Sequence, residues 1–360
     1  MFTHPEFSDH ESVTHVSEPV TGLRAIIAIH STVFGPAGGG VRMYPYPDEA
    51  DALTDALRLS KGMTYKAAMG DLPFGGGKCV ILGDPGDKSE PLFEALGDEI
   101  EALGGRYFCG EDVGTSPADM AVINRRTNHV VGLPAKTGDP SPATAQGVFV
   151  SIQAALRHVL DRGDLEGVHV AIQGVGHVGY PLAEMLAAAG ARLTVADTNP
   201  DCVDRARREL GAAIGHPDEI HEIEADVYSP CALGAVINDD SVDAIRAKII
   251  CGSANNQLAD PRHGRKLHER DVVYVPDYVA SVGGAVSAMR ERVAYEDGEF
   301  ERRIDRIGQR VTELLERSSR TGEPPSIAAD AIAQSLVEAA RGARSTRERR
   351  PAGHSAAVRK

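Results

Sequence analysis

Val168-His-Val-Ala-Ile172-Gln-Gly174-Val-Gly176-His-Val-Gly179 is the stretch on which the fold turns. Its apolar start reads as a buried strand, and it runs directly into Gly-x-Gly-x-x-Gly. An apolar stripe at helical spacing follows (Val178, Leu182, Met185, Leu186) and stops at Gly190. Beyond it, Arg192-Leu-Thr-Val-Ala-Asp197 reads as a second strand with a carboxylate at its end. The glycine pattern alone is weak. With a strand before it, a helix after it and an acid about twenty residues on, it is a dinucleotide-binding β-α-β unit. Gly174, Val175, Gly176, His177, Val178 and Gly179 would bring backbone to a pyrophosphate at the helix N-terminus, where unpaired N–H groups and the dipole favour an anion. Asp197 would accept hydrogen bonds from ribose hydroxyls and repel a 2′-phosphate. Thr198 and Asn199 after it supply no arginine, which predicts NAD over NADP.

Working outward, residues 225–228, 248–251 and 271–275 read as further short strands, each ending in a loop of small and polar residues. That is the arrangement expected where ligands bind at the carboxyl ends of parallel strands. Phe300, Ile304, Ile307, Val311 and Leu314 mark a long amphipathic helix whose plainest role is packing, and 327–340 is a last helix. Upstream, 23–30 reads as a strand, 48–61 and 91–103 as helices, and 107–110 as a short strand. Residues 132–142 are dense in turn formers and read as a hinge, with a helix over 143–160 after it. The expectation is a two-domain α/β chain. Residues 1–140 form one α/β domain, joined by the helix at 325–340, and 141–324 form a Rossmann-type domain. The arginine-bearing tail at 341–360 reads as disordered.

In the first domain two lysines stand out, in Gly62-Met-Thr-Tyr-Lys66 and Phe74-Gly-Gly-Gly-Lys78. Read as a tight turn, Gly75 to Gly77 would hold Lys78 against a bound molecule, because glycine permits close backbone approach. A desolvated ammonium loses its proton more easily and can serve as a general base. A snorkelling lysine on a turn is the plainer alternative.

Composition narrows the function classes. A length of 360 residues suits two domains, and 42% hydrophobic content fills two ordinary cores. The 38 basic residues against 52 acidic ones give −14, which argues against a nucleic-acid or anionic-membrane partner. No apolar run approaches the roughly 18 residues of a membrane span, and residues 1–20 are too polar for a signal peptide. Five scattered cysteines without Cys-x-x-Cys fit reduced thiols in a cytoplasmic protein. The histidines show no zinc spacing, so no metal is expected.

Six stretches occur together in order: Gly35-Pro-Ala-Gly-Gly-Gly40-Val-Arg42, residues 62–83, Glu111-Asp112-Val-Gly-Thr115, Ser229-Pro-Cys-Ala-Leu-Gly234, Gly252-Ser-Ala-Asn-Asn256 and Pro276-Asp-Tyr-Val279. In this combination the chain resembles the glutamate/leucine/phenylalanine/valine dehydrogenase family over residues 20–340, and within it the shorter leucine, valine and phenylalanine branch. The resemblance implies oxidative deamination of an L-amino acid to its 2-oxo acid and ammonia, in a cleft between a substrate domain and an NAD domain. It implies that Lys66 pairs with the substrate carboxylate, helped by backbone at Gly39 and Gly40. Lys78 would be the general base and acid, its pKa lowered further by the second lysine. Asp112 would hold the amine and assist proton transfer, unless it is merely a helix N-cap. Arg42, Ser141, Thr144, Cys231, Ala232, Ser253, Ala254 and Asn255 would approach the cofactor, although Asn255 and Asn256 could also be plain turn residues.

The implied pocket wall is Gly38, Gly110, Ala285 and Ala288, all small where leucine-type relatives carry larger groups. A roomier pocket favours a bulky apolar, aromatic side chain such as that of phenylalanine. Glu111-Asp112-Val113-Gly114 nevertheless reads like the leucine and valine members. One departure stands out: Ser281 occupies a position where the family has asparagine. The resemblance also implies a homo-oligomer, a dimer or larger, built mainly through the first domain. Two other readings are a catalytically silent NAD-binding regulator, against which Lys66, Lys78 and Asp112 speak, and a glutamate-specific enzyme. The latter would need a further cation that residues 38–40 and 283–289 do not offer.

Overall fold

A computed structural model describes residues 1–133 and 139–348. The first half is a five-stranded sheet of β1 (Ser12–Glu18), β2 (Leu23–Ser31), β3 (Ala37–Tyr44), β4 (Gly75–Leu82) and β5 (Tyr107–Glu111), in the order β1-β2-β4-β3-β5. Strand β2 is antiparallel to β1 and β4, while β3 runs parallel to β4 and β5. Helix α1 (Glu49–Met69) covers one face, and α2 (Glu90–Ala102) with α3 (Pro117–Ile123) covers the other. Alternation along β2 explains the sandwich. Leu23, Ala25, Ile27 and Ile29 pack toward α2, whereas Ile26 and Ala28 pack toward Ala52 and Ala56 of α1.

The second half begins with α4 (Ser141–Leu160). It continues through β6 (His169–Gln173), α5 (Gly179–Ala188), β7 (Arg192–Ala196), α6 (Pro200–Leu210), β8 (Ala213–Ile214), β9 (Val227–Pro230) and β10 (Ile249–Ile250). Then come α7 (Pro261–Glu269), β11 (Val273–Tyr274), α8 (Asp277–Ala280), α9 (Gly283–Ala288), α10 (Glu299–Thr321) and α11 (Pro325–Glu348). The six strands are parallel in the order β11-β10-β9-β6-β7-β8. The strand order reverses between β6 and β9, the switch point at which doubly wound sheets bind ligands.

Four expectations change. The glycines at 75–77 are strand residues of β4, not a turn. They are small because other parts of this chain press on them: a Cβ would lie 1.8 Å from Ser31 O at Gly75, 2.2 Å from Thr64 N at Gly76 and 2.7 Å from the Tyr107 ring at Gly77. Helix α1 runs on past residue 61 to Met69, carried through Gly62 by buried Thr64, Ala67, Ala68 and Met69. Strand β1 forms in the polar first stretch, as an edge strand needs only one partner. Residues 341–348 continue α11 rather than starting a disordered tail; 349–360 lie outside the described residues, as do 134–138 of the expected hinge.

The halves are fastened at the end of α1. Asp71, in a left-handed conformation (φ 49°), accepts from Arg310 Nη2 at 2.9 Å and Arg306 Nε at 2.9 Å, while its carbonyl accepts from Arg303 Nη1 at 3.0 Å. Arg310 is 5% exposed and also meets Glu313 at 2.6 Å. Asp71→Ala should therefore destabilise the chain by about 1–3 kcal/mol in urea unfolding, because a buried guanidinium loses a partner. Asp71→Asn, which tolerates the same backbone conformation, should lose less. Equal stability of the alanine variant and the parent would show that the clasp adds nothing.

Candidate active site

Strand alternation brings the site together. Gly38 pairs with Gly76 of β4 and Phe108 of β5, and Gly40 pairs with Gly110, so Gly38, Gly40, Gly76, Lys78, Phe108 and Gly110 share the sheet face toward α1. The β3–β4 pairing lapses at Gly39 and Gly40, beside Lys78, and resumes in the same register at Val41. Lys78 is 4% exposed, and its Nζ lies 2.8 Å from Asp112 Oδ2. Arg42 Nε donates to the same oxygen at 2.8 Å, and its Nη1 reaches Asp55 Oδ2 at 2.8 Å. A Cβ at Gly40 would stand 2.7 Å from Asp112 Cβ and 3.3 Å from Lys78 Nζ, so glycine keeps this corner open.

Asp112 is no helix cap; Ser116 caps α3. Thr115 fixes the loop instead. Its Oγ1 accepts from Asp112 N–H at 3.0 Å and donates to Val41 O at 2.8 Å.

Burial pushes the Lys78 ammonium below the usual lysine range; Asp112 pulls against this and Arg42 adds to it. Repulsion between the lysines shows instead at Lys66, which is lowered by burial first and further by Lys78, against Asp277. Burial works to raise the Asp112 carboxyl, but Lys78 and Arg42 outweigh it and hold it below the usual range. Lys66, on the last turn of α1, donates from Nζ to Ser281 Oγ at 3.1 Å.

Beside these groups lies a cavity of about 680 Å³. All the small wall residues expected from the sequence line it: Gly38, Gly39, Gly40, Gly110, Ala285 and Ala288. Met289, at the end of the expected wall segment 283–289, lines it too, and Met63, Phe74, Phe108 and Val131 line it without having been foreseen. Phe108 could have been found, because it sits two residues before Gly110 on one strand and so shares its face. The space beside Gly38 is not vacant, since a Cβ there would meet Phe108 Cζ at 2.4 Å.

The dinucleotide cleft is built around the switch point. Gly174 has φ +94°, and a Cβ on it would lie 2.7 Å from Ala232 Cβ in the loop after β9. A Cβ on Gly179 would lie 1.9 Å from Gly174 O, whereas Gly176 has nothing within 4 Å. Helix α5 begins without a side-chain cap, but Tyr180 N–H and Leu182 N–H already donate to Gly176 O at 3.0 Å and Val178 O at 3.2 Å. Pro181 has no N–H, so the donors left for an anion are those of Gly179 and the glycine loop before it. Asp197 Oδ2 accepts from Val175 N–H at 2.8 Å and Oδ1 from Asn199 N–H at 2.8 Å, which orients a carboxylate with lone pairs to spare. These residues fit a dinucleotide.

The other expected cofactor contacts fall in several places. Arg42, Asp112, Ala232 and Asn255 line a second hollow of about 750 Å³. Ser253 is buried, and Ala254 N–H donates to Pro230 O at 3.0 Å. Cys231 N–H donates to Gln173 O at 2.7 Å, tying the loop after β9 to β6. Ser141 and Thr144 open α4 against Gly283 and Gly284; a Cβ on Gly284 would be 2.5 Å from Thr144 Oγ1. His177 is exposed at the cavity rim, 3.9 Å from Asp139. Among the described residues no cluster of His, Cys, Asp and Glu could hold a metal ion, and no helix is long and apolar enough to cross a membrane.

Residues 10–129 match the Glu/Leu/Phe/Val dehydrogenase dimerisation domain, and residues 138–207 and 201–344 match Glutamate/Leucine/Phenylalanine/Valine dehydrogenase. A leucine dehydrogenase of Thermoactinomyces intermedius is 45% identical over 350 residues, 96% of each chain. A phenylalanine dehydrogenase of Lysinibacillus sphaericus is 44% identical over 295 residues, 79% of this chain and 77% of its own. The crystal structure of L-tryptophan dehydrogenase from Nostoc punctiforme superposes with a TM-score of 0.84 at 36% identity, covering 92% of this chain and 97% of that one. Matched in both halves and over nearly its full length, the chain belongs to the glutamate/leucine/phenylalanine/valine dehydrogenase family of amino-acid oxidoreductases.

Proposed function

We propose that this chain oxidatively deaminates an apolar L-amino acid with NAD, phenylalanine being favoured and leucine or valine also accepted, and runs the reverse reductive amination. The observation that carries the reading is the buried Lys78–Asp112 contact beside a cavity with no lysine or arginine among the described residues of its wall. Residues 1–140 with the helix at 325–340 hold the substrate, and residues 141–324 hold the dinucleotide. Lys66 anchors the substrate carboxylate; with one N–H given to Ser281, two remain. Backbone at Gly39 and Gly40 completes the cradle. The nicotinamide, when bound, supplies a hydride acceptor. Lys78, neutral once deprotonated, takes a proton from the amine and gives it up to solvent, then takes one from the attacking water and returns it to the departing ammonia. Asp112 stays ionised and balances the positive charge that grows on the substrate nitrogen.

The lack of lysine and arginine among the described wall residues speaks against a glutamate-specific enzyme, and the buried lysine–aspartate contact against a silent regulator. The name of the first matched family, a dimerisation domain, supports a homo-oligomer assembled through the first half. Five free cysteines, three of them buried, fit a reducing, cytoplasmic setting.

Purified protein with NAD and a panel of L-amino acids, followed by the absorbance of reduced cofactor, tests the reaction and its preference together. The expected order of kcat/KM places phenylalanine above valine. Valine ahead of phenylalanine would overturn the aromatic preference, and no turnover of any apolar amino acid would overturn the reaction.

Lys78→Ala should keep NAD affinity and lose about 10²–10⁴-fold in kcat. Because Lys78 works as a base only when neutral, the parent's kcat/KM should rise with pH through an inflection below the ordinary lysine value of about 10.4. A variant within about tenfold of the parent would remove Lys78 from the base role.

NADP should be the poorer cofactor, and Asp197→Ala should narrow the gap. If NADP matched NAD in the parent, Asp197 would not be the ribose contact.

A further inference from the structure

The sequence-level case for a roomy pocket rests on four small residues, yet the space above Gly38 is full. A Cβ there would lie 2.4, 2.9 and 3.0 Å from Phe108 Cζ, Cε2 and Cε1. Gly38 and Phe108 are partners on β3 and β5, so their side-chain directions share the face that floors the cavity. The ring leans across from β5 and stands where the side chain of residue 38 would be. It is held there. The Phe74 ring meets it edge-on, centroids 5.6 Å apart at 79°, and the Arg292 guanidinium lies 4.5 Å from its centroid. Gly110 gives less room than its size suggests, because a Cβ there would already sit 3.3 Å from Val131 Cγ2. Across the cavity wall, Ala285 and Ala288 of α9 contribute only methyl groups.

We propose that Phe108 is a specificity-determining residue: its ring, rather than an absence at Gly38, sets the depth of the cavity and gives it an aromatic floor for the substrate side chain. This rests on reading the cavity as the side-chain pocket of the proposed dehydrogenase. Flat aromatic surface accepts a second ring in an offset or edge-on arrangement, and such pairs add to plain apolar burial. A branched aliphatic side chain gains only the burial. Gly38 and Phe108 then act as one unit, since a side chain at 38 requires a smaller one at 108.

The test compares kcat/KM for L-tryptophan, L-phenylalanine and L-leucine in the parent, Phe108→Leu, Phe108→Ala, Gly38→Ala and the Gly38→Ala/Phe108→Leu pair. Deepening the pocket with Phe108→Ala should raise the tryptophan-to-leucine ratio about tenfold or more. Gly38→Ala alone should weaken all three substrates, and Phe108→Leu should restore much of that loss, the signature of direct contact. The KM for NAD should stay where it is in every variant. Calorimetric binding of 3-phenylpropanoate and 4-methylpentanoate to the same proteins reads the pocket without turnover. If no variant moves either the substrate ratio or the ligand ratio beyond about twofold, Phe108 is packing only and the inference falls. If the parent turns over nothing yet Phe108→Ala shifts the ligand ratio, the reaction falls and the role of Phe108 stands.

Discussion

One carboxylate oxygen, Oδ2 of Asp112, receives both Lys78 Nζ and Arg42 Nε, each at 2.8 Å. Two cations on one oxygen in a mostly buried corner keep the aspartate ionised, while burial keeps the lysine easy to deprotonate. Much of the surrounding chain follows from making that corner compact. Gly40 has no side chain because one would crowd both Asp112 and Lys78. Gly76 has none because α1 lies directly on β4, and that contact brings Lys66 to the same face. Thr115 pins the Asp112 backbone to β3, and Asp55 takes the other end of Arg42 so that the guanidinium cannot swing away.

The second half was the more legible in sequence. A strand, a glycine loop, a helix and a terminal acid occupy one continuous stretch, and each has a local physical cause. In the fold β6, the loop, α5 and β7 fall at those residues, although several later strands are only two residues long. The first half was less legible because its meaning depends on register. Three consecutive glycines announce that something comes close, but not whether a ligand, a helix or a neighbouring strand does so. At Gly75, Gly76 and Gly77 it is the chain itself. Lys66 and Lys78 were found from local pattern, whereas their placement on one face required pairing β3 with β4 and β5. Phe108 over Gly38 is the sharpest case, because a small residue suggested emptiness and the partner strand filled it.

Serine at 281 bears on how the two halves meet. An asparagine there would extend further, whereas the short Ser281 hydroxyl accepts from Lys66 at 3.1 Å across 215 residues of chain. The residue is 4% exposed, so little water competes for that bond. Five positions further along, Asp71 is gripped by Arg306 and Arg310 of α10. The C-terminal end of α1 is thus tied to the second half on two sides, once by a buried hydroxyl and once by an arginine cluster. In this chain the ammonium proposed to anchor the substrate is itself one of the ties between the halves.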